Sequence, residues 1–127
     1  MSTLRLTTIS NQTGSSSVPS ETVINGSAKA WVNFNGTGTV AIRASFNVSS
    51  ITDNGTGDYT LNFTTAFADA NYSIMGSSGS GNSFGSYGFN NPGAGTRFAV
   101  GSCRINSFIT QTAGLSDVDT VCVGVFR

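Results

Sequence analysis

The sequence predicts an all-β fold, an antiparallel β-sandwich of about seven or eight strands preceded by an extended N-terminal arm. Composition is the first observation: only 9% of the 127 residues are charged, and the polar remainder is Ser, Thr, Asn and Gly, which suit strand faces and tight turns. Hydrophobic periodicity is the second, because apolar and polar residues alternate and no segment has the 3.6-residue period of a helix. The third is the regular recurrence of Asn-Gly turn signals between the alternating segments.

The arm is residues 1–27, a segment whose composition cannot build a core of its own. Leu4, Leu6 and Ile9 are its first apolar anchors, and a polar run over residues 10–17 follows them. In an extended strand Leu4 and Leu6 point to the same side, so the arm is predicted to add a strand to the sheet edge of another protein. The polar run would then be a flexible tether. The alternative is that the arm wraps a neighbouring copy of the chain.

The sandwich is predicted over residues 28–127. In its first strand Ala30, Val32 and Phe34 share one face, and Trp31 lies on the opposite, polar face. Interfaces favour Trp, and an exposed Trp is unusual in a monomer, so Trp31 is the candidate subunit-interface residue. The alternative is that Trp31 covers one end of the core.

The same alternation predicts the other strands. After an Asn35-Gly36 turn, a half-buried strand over residues 40–48 forms a hairpin with the first strand and turns Val40, Ile42, Ala44, Phe46 and Val48 towards the core. Further strands are expected over residues 59–64, around 72–75 and, as a pair, over 97–109. The last strand, residues 121–126, is apolar on both faces, which predicts a central strand covered on both sides.

A Gly- and Ser-rich stretch over residues 76–95 contains the candidate receptor-contact residues. Phe84, Tyr87 and Phe89 are interleaved with its glycines. Rigid aromatic side chains on loops suit recognition of a sugar or a protein. The alternative is that these rings pack under the loop or in a subunit contact, as most large aromatic side chains do.

The residue types that most enzymes need are missing or poorly placed, so the chain is predicted not to be an enzyme. It contains no histidine, which removes the usual general base and zinc ligand. Residues 81–85 match the G-x-S-x-G nucleophile pattern, but the pattern needs a histidine partner and a strand-turn-helix context. The Asp residues near Gly-rich turns are interpreted as turn formers. No catalytic residue, metal site or cofactor is therefore assigned.

The charge balance and the cysteines restrict the partners and the compartment. Six basic and six acidic residues give a net charge of zero, which predicts no binding to nucleic acid. No segment is apolar enough to insert in a membrane or to act as a signal peptide, so synthesis in a cytosol is expected. Reduced thiols are favoured there, although a disulfide between Cys103 and Cys122 remains open.

Two stretches resemble a known module. Residues 29–48, KAWVNFNGTGTVAIRASFNV, and residues 50–63, SITDNGTGDYTLNF, resemble the C-terminal β-module of tail-fibre and related virion proteins of bacteriophages, notably marine phages and cyanophages. Residues 121–126 look like the closing strand of that module, and residues 1–8 are similar to the short N-terminal arms of such proteins. The resemblance covers roughly residues 28–127.

The resemblance implies a structural protein of the virion, made in the cytoplasm of a bacterial host and commonly assembled as a homotrimer. Its sandwich knob would be a short tail fibre or fibre tip that contacts host-surface glycan, and its arm would bind other virion proteins. The alternative is a capsid decoration or cement protein that stabilises the shell. The family supplies no functional residues that match positions of this chain.

Overall fold

The computed structural model describes residues 2–80, 83–85, 87–88, 97–109 and 114–127, with the backbone alone at 83–85, 87–88, 108 and 109. These residues form one helix and thirteen strands: β1 (Thr8–Ser10), β2 (Ser17–Pro19), α1 (Ser20–Gly26), β3 (Ala28–Asn35), β4 (Ala41–Phe46), β5 (Val48–Gly55), β6 (Asp58–Phe63), β7 (Ser73–Ser80), β8 (Ser83–Gly85), β9 (Tyr87–Gly88), β10 (Phe98–Ala99), β11 (Ser102–Ile109), β12 (Gly114–Leu115) and β13 (Thr120–Phe126). The predicted all-β class is confirmed.

Two antiparallel sheets pack face to face as a sandwich, as predicted. The first sheet has the strand order β4-β3-β13-β7-β8. The second has the order β10-β11-β6-β5, and β9 and β12 also pair with β11. The predicted hairpin of β3 and β4 is present, and the last strand, β13, lies at the centre of the first sheet between β3 and β7.

The core lies between the inward faces of the four strands β3, β13, β6 and β11. Inward and outward residues alternate along these strands, which is the period that a half-buried strand requires. The Phe34 and Tyr59 rings join the two sheets edge to face, with their centroids 5.1 Å apart. The buried apolar side chains are Ala30, Val32, Phe34, Val48, Tyr59, Leu61, Phe63, Tyr72, Cys103, Ile105, Val118, Val121, Val123 and Val125.

One end of the sandwich is fastened by the Tyr59 hydroxyl and the Asp117 carboxylate. The hydroxyl hydrogen-bonds the carbonyl of Gly36 at 2.9 Å and Asp117 Oδ1 at 2.8 Å. The backbone N–H of Gly57 donates to the same carboxylate oxygen at 2.7 Å. Burial, together with the adjacent carboxylate, raises the pKa of Tyr59, so the hydroxyl keeps its proton at neutral pH. Two hairpin turns and the segment before β13 are thereby tied together.

The predicted single strand over residues 40–48 is wrong, because a β-bulge interrupts its pairing and the strand ends before residue 48. Opposite β3 the pairing moves from Phe34–Ile42 to Asn33–Ala44, so Arg43 is an extra residue, a β-bulge. Since a slip of one residue exchanges the two faces of a strand, Ile42 points inward whereas Phe46 points outward, 55% exposed. At Asn47 the backbone then adopts φ 55°, and the chain crosses to the second sheet.

The arm is not extended throughout, which corrects the prediction for residues 1–27. Strands β1 and β2 form a hairpin, and α1 follows directly from β2. The polar run that was expected to be a flexible tether makes the turn of this hairpin, where the Asn11 side chain bonds Ser15 and accepts from the N–H of Ser16. A short helix was not expected either, because its few apolar residues show no clear period.

The prediction that the last strand is covered on both sides is also wrong. The inward residues of β13 are buried, whereas the outward residues are only half-buried. In the described part of the chain, no third layer of structure lies over the outer face of the first sheet. The apolar composition of this outer face therefore needs another explanation.

A glycine pair tests how tightly the turns are packed at the fastened end. A Cβ atom at Gly57, where φ is +63°, would lie 2.4 Å from the Ser107 carbonyl oxygen, whereas a Cβ at Gly38, where φ is +62°, would meet nothing within 4 Å. We expect Gly38→Ala to lower the free energy of unfolding by about 1 kcal/mol, from backbone strain alone. Gly57→Ala should cost at least about 2 kcal/mol more, because backbone must move. Equal losses in urea unfolding would contradict this.

A second prediction concerns the ion pair between Arg104 on β11 and the buried Asp58 on β6. Arg104 Nε donates to Asp58 Oδ1 at 2.8 Å and its Nη2 donates to Oδ2. These hydrogen bonds hold the pKa of Asp58 below its ordinary value of 3.8. A carboxylate with a lowered pKa in the folded state stabilises the fold above the unfolded-state value, and this stabilisation is lost as the pH falls through the folded-state value.

We therefore expect Arg104→Gln to lower the Tm at pH 7, and we expect the difference from the unmutated protein to shrink once the pH falls below 3.8. Arg127→Gln is the matched control, since it breaks the more exposed pair with Asp69 and should lower the Tm less. A Tm difference for Arg104→Gln that is constant from pH 7 to pH 2 would rule out the ion pair as its cause.

Candidate functional site

The outer face of the first sheet carries a row of apolar side chains. Trp31 on β3 pairs with Phe46 on β4 and, on its other side, with Gly124 on β13, which pairs in turn with Met75 on β7. Trp31 is 41% exposed and Met75 is 66% exposed. The structure thus places Trp31 on the outward face, as the alternation predicts, and not over one end of the core.

Gly124 turns this row into a depression. Because Gly124 has no side chain, the sheet surface is open between Trp31 and Met75. The Phe126 ring borders the opening, since a Cβ at Gly124 would lie 3.3 Å from it. We call this depression the outer groove; it has a volume of 510 Å³ and is lined mainly by Trp31, Met75, Cys122, Gly124 and Phe126. An apolar groove of this kind suits apolar side chains of a partner.

Polar and positively charged groups border one side of the outer groove. Asn33 and Ser77 flank Cys122 in the next row across the sheet. The Arg43 Nη1 donates to Asn33 Oδ1 and to the Phe34 carbonyl, both at 3.3 Å. No carboxylate of the described residues forms an ion pair with Arg43. The guanidinium at the bulge is therefore a positive charge beside an apolar surface.

The arm is the second surface without cover. None of residues 2–27 is buried, and the arm exposes six large apolar side chains. The exposed fractions are 82% for Leu4, 52% for Leu6, 45% for Ile9, 38% for Val18, 42% for Val23 and 54% for Ile24. The predicted docking residues Leu4 and Leu6 precede the hairpin, whereas Ile9 lies within β1 and pairs with Val18.

The predicted receptor-contact aromatic residues are not brought together on one loop. Phe84 lies in β8, opposite Gly79 at the edge of the first sheet, and Tyr87 lies in β9, opposite Ser107 in the second sheet. Both positions are therefore strands, not the loop that the Gly-rich composition predicts. Phe89 lies outside the described residues. Their role in binding stays a prediction.

The Asp residues near the Gly-rich turns have structural partners. Asp53 Oδ1 accepts from the N–H of Gly55 at 2.9 Å, Asp58 pairs with Arg104, and Asp117 holds the Tyr59 hydroxyl. Nowhere in the described ranges do three His, Cys, Asp or Glu side chains come together as metal ligands would. Within those ranges, no helix has the length and hydrophobicity to cross a membrane.

The two cysteines are free and lie in different environments, which resolves the pairing that the sequence leaves open. Cys103 points from β11 into the core, where burial raises the pKa of its thiol to about 12. Cys122 points outward from β13 and lines the outer groove. The chain therefore carries one thiol inside its core and one on its candidate site.

This difference gives a prediction for thiol chemistry. In dilute folded protein a maleimide should modify Cys122, whereas Cys103 should react only after denaturation, because a buried neutral thiol is neither accessible nor nucleophilic. Mass spectrometry before and after denaturation counts the modified thiols, and Cys122→Ser identifies which one reacts first. Native modification of Cys103 in the Cys122→Ser variant would show that the core is more open than the structure indicates.

The comparisons with known proteins found no relative. No family model matches the chain, no curated protein matches its sequence, and no solved structure matches its fold. The resemblance of residues 29–63 to modules of phage tail fibres therefore remains a hypothesis, and the functional evidence is in the two uncovered surfaces of the chain itself.

Proposed function

We propose that this protein is a non-enzymatic structural component of a bacteriophage particle, a short tail fibre or fibre tip. Its sandwich knob would face the host surface, and its arm would hold it in the particle. The observation that carries the proposal is a folded arm without a core, in which no residue from 2 to 27 is buried. The resemblance of residues 29–63 to tail-fibre modules is the reason for proposing a bacteriophage as the particle.

An arm of this size does not fold on its own. Strands β1 and β2 have three residues each, and α1 has seven. Isolated two-stranded hairpins and helices shorter than about 12 residues are marginal in water, so both elements need packing against something else. Within the described residues, none of their apolar side chains is buried. A binding partner that covers the arm accounts for both features.

Leu4 and Leu6 are the residues that we assign to docking on another particle protein. They lie before β1, in a segment without regular structure, and two positions apart. Pairing of this segment with the edge of a partner's sheet would place both side chains in adjacent pockets on one side. Ile9, the third predicted docking residue, lies within the hairpin and pairs with Val18, so the assignment to docking rests on Leu4 and Leu6.

We assign the knob a role in binding rather than in catalysis. The chain has no histidine, and Asp58 and Asp117, two of its six acidic residues, support the fold. The net charge of zero favours self-association over binding to polyanions. We propose that copies assemble as a homotrimer through the face that carries Trp31, and that the region of Phe84, Tyr87 and Phe89 contacts host-surface glycan.

Removal of Leu4 and Leu6 tests the proposal. We expect deletion of residues 2–7 to leave the Tm unchanged, because none of them is buried, but to abolish incorporation of the protein into phage particles. Val100→Ser is the matched control, because it removes an apolar side chain of the knob that is 46% exposed and should not affect incorporation.

Particles purified with and without the deletion are compared by immunoblot, and gold labelling locates the protein. Label at the tail tip supports a fibre, and label over the capsid surface would replace it with a decoration protein. Normal incorporation of the truncated protein would show that Leu4 and Leu6 are not the anchor. Absence of the full-length protein from particles would overturn the proposed function.

A further inference from the structure

We propose that the outer groove of one copy binds the hairpin and helix of the arm, residues 8–26, of a second copy. Copies would then assemble head to tail, with each arm covering the groove of its neighbour. This inference deepens the proposed function, on which it rests for its place in a particle, but it concerns contacts that the purified protein must show by itself.

The arm and the outer groove are both apolar, and each copy of the chain has one of each. The arm exposes Val23 and Ile24 on α1, and the groove exposes Trp31 and Met75. Each surface in isolation is an apolar patch in water, and association removes both from solvent. Because every copy has one arm and one groove, a head-to-tail arrangement satisfies all of them in equal number, whereas a partner of another kind would cover only one of the two.

The spacing across the groove suits the side chains of a short helix. Trp31 and Met75 are two strands apart, with Gly124 between them, which corresponds to about 10 Å across the sheet. Because an α-helix with its side chains is itself about 10 Å wide, the whole helix does not enter between Trp31 and Met75. Helix α1 would therefore lie over the opening, with Val23 and Ile24 directed into the space above Gly124.

The arm of the same copy cannot occupy this groove. A single residue, Ser27, separates α1 from β3, whereas reversal of the chain over its own sheet needs a loop of about two residues or more. Hydrogen bonds from the Lys29 ammonium to the carbonyls of Ile24 and Ser27 hold the connection further. The helix that enters the groove must therefore come from another copy.

Charges on the two surfaces are complementary. Glu21 is the acidic residue in the first turn of α1, and Arg43 borders the outer groove. Neither forms an ion pair within the described part of the chain. Docking of α1 in the groove brings a negative charge to the side where the uncompensated guanidinium lies, and this favours one orientation of the helix.

A crosslink between the two surfaces tests the proposal on the full chain. In Val23→Cys the new thiol and Cys122 of a neighbouring copy should form a disulfide when diamide accepts the two electrons and two protons. The expected product is a covalent ladder on a non-reducing gel that dithiothreitol removes. Val23→Cys combined with Cys122→Ser should give no ladder, and neither should Val100→Cys, whose side chain is exposed on another part of the knob.

The second measurement is the mass of the purified protein by light scattering across a range of concentrations. Gly124→Val fills the groove, and its nearest neighbour is the Phe126 ring, so the core is not disturbed. We expect this substitution to raise the dissociation constant of the assembly about tenfold or more. Trp31→Ser should raise the dissociation constant as well. Because Trp31 is exposed, this second variant separates a loss of assembly from a folding defect that Gly124→Val could cause. Val100→Ser should leave the constant unchanged.

A monomeric unmutated protein at micromolar concentration, or crosslinking that does not need Cys122, would overturn the proposal. Assembly that survives both Gly124→Val and Trp31→Ser would do so as well. Deletion of residues 2–7 separates this proposal from the proposed function. Crosslinking must persist without these residues, whereas incorporation into particles must not.

Discussion

The two faces of β13 determine how the chain is organised. Inward, Val121, Val123 and Val125 are buried against the second sheet, and this packing places β13 at the centre of the first sheet. Because strand side chains alternate, the same seven residues present Cys122, Gly124 and Phe126 on the outer face. The core thus fixes the composition and position of the outer groove, because packing the inward face of β13 leaves its outward face only half-buried.

The side of the sheet on which a residue lies can be predicted from the sequence wherever the alternation of inward and outward residues is unbroken. The alternation in β3 predicts Phe34 in the core and Trp31 outside, and the Asn35-Gly36 signal predicts the turn after β3. Phe46 was assigned to the core because the extra residue at Arg43 has no sequence signature and reverses the face of every residue after it. Met75 could not be connected to Trp31 from sequence, since that contact depends on the order of strands β3, β13 and β7.

The arm shows why local sequence patterns are insufficient for short elements. Its hairpin and helix have too few residues for a hydrophobic period to be recognised, and none of its side chains is held by the core. Composition alone predicts that the arm needs a partner, which stays a prediction, and the structure changes the expected geometry of the arm. Leu4 and Leu6 lie before β1 in a segment without regular structure, whereas Val23 and Ile24, which the sequence did not single out, lie on α1, the helix that we propose for the groove.

The central claim is that the arm is folded only when a second copy covers it. Amide hydrogen exchange of the full-length protein, followed by mass spectrometry at several concentrations, tests this most directly. The account predicts that the amides of β1, β2 and α1 are protected when the protein is concentrated and lose protection on dilution, while those of β3 and β13 stay protected throughout. Protection of the arm that does not change with concentration, or arm amides that exchange freely at every concentration, would contradict it.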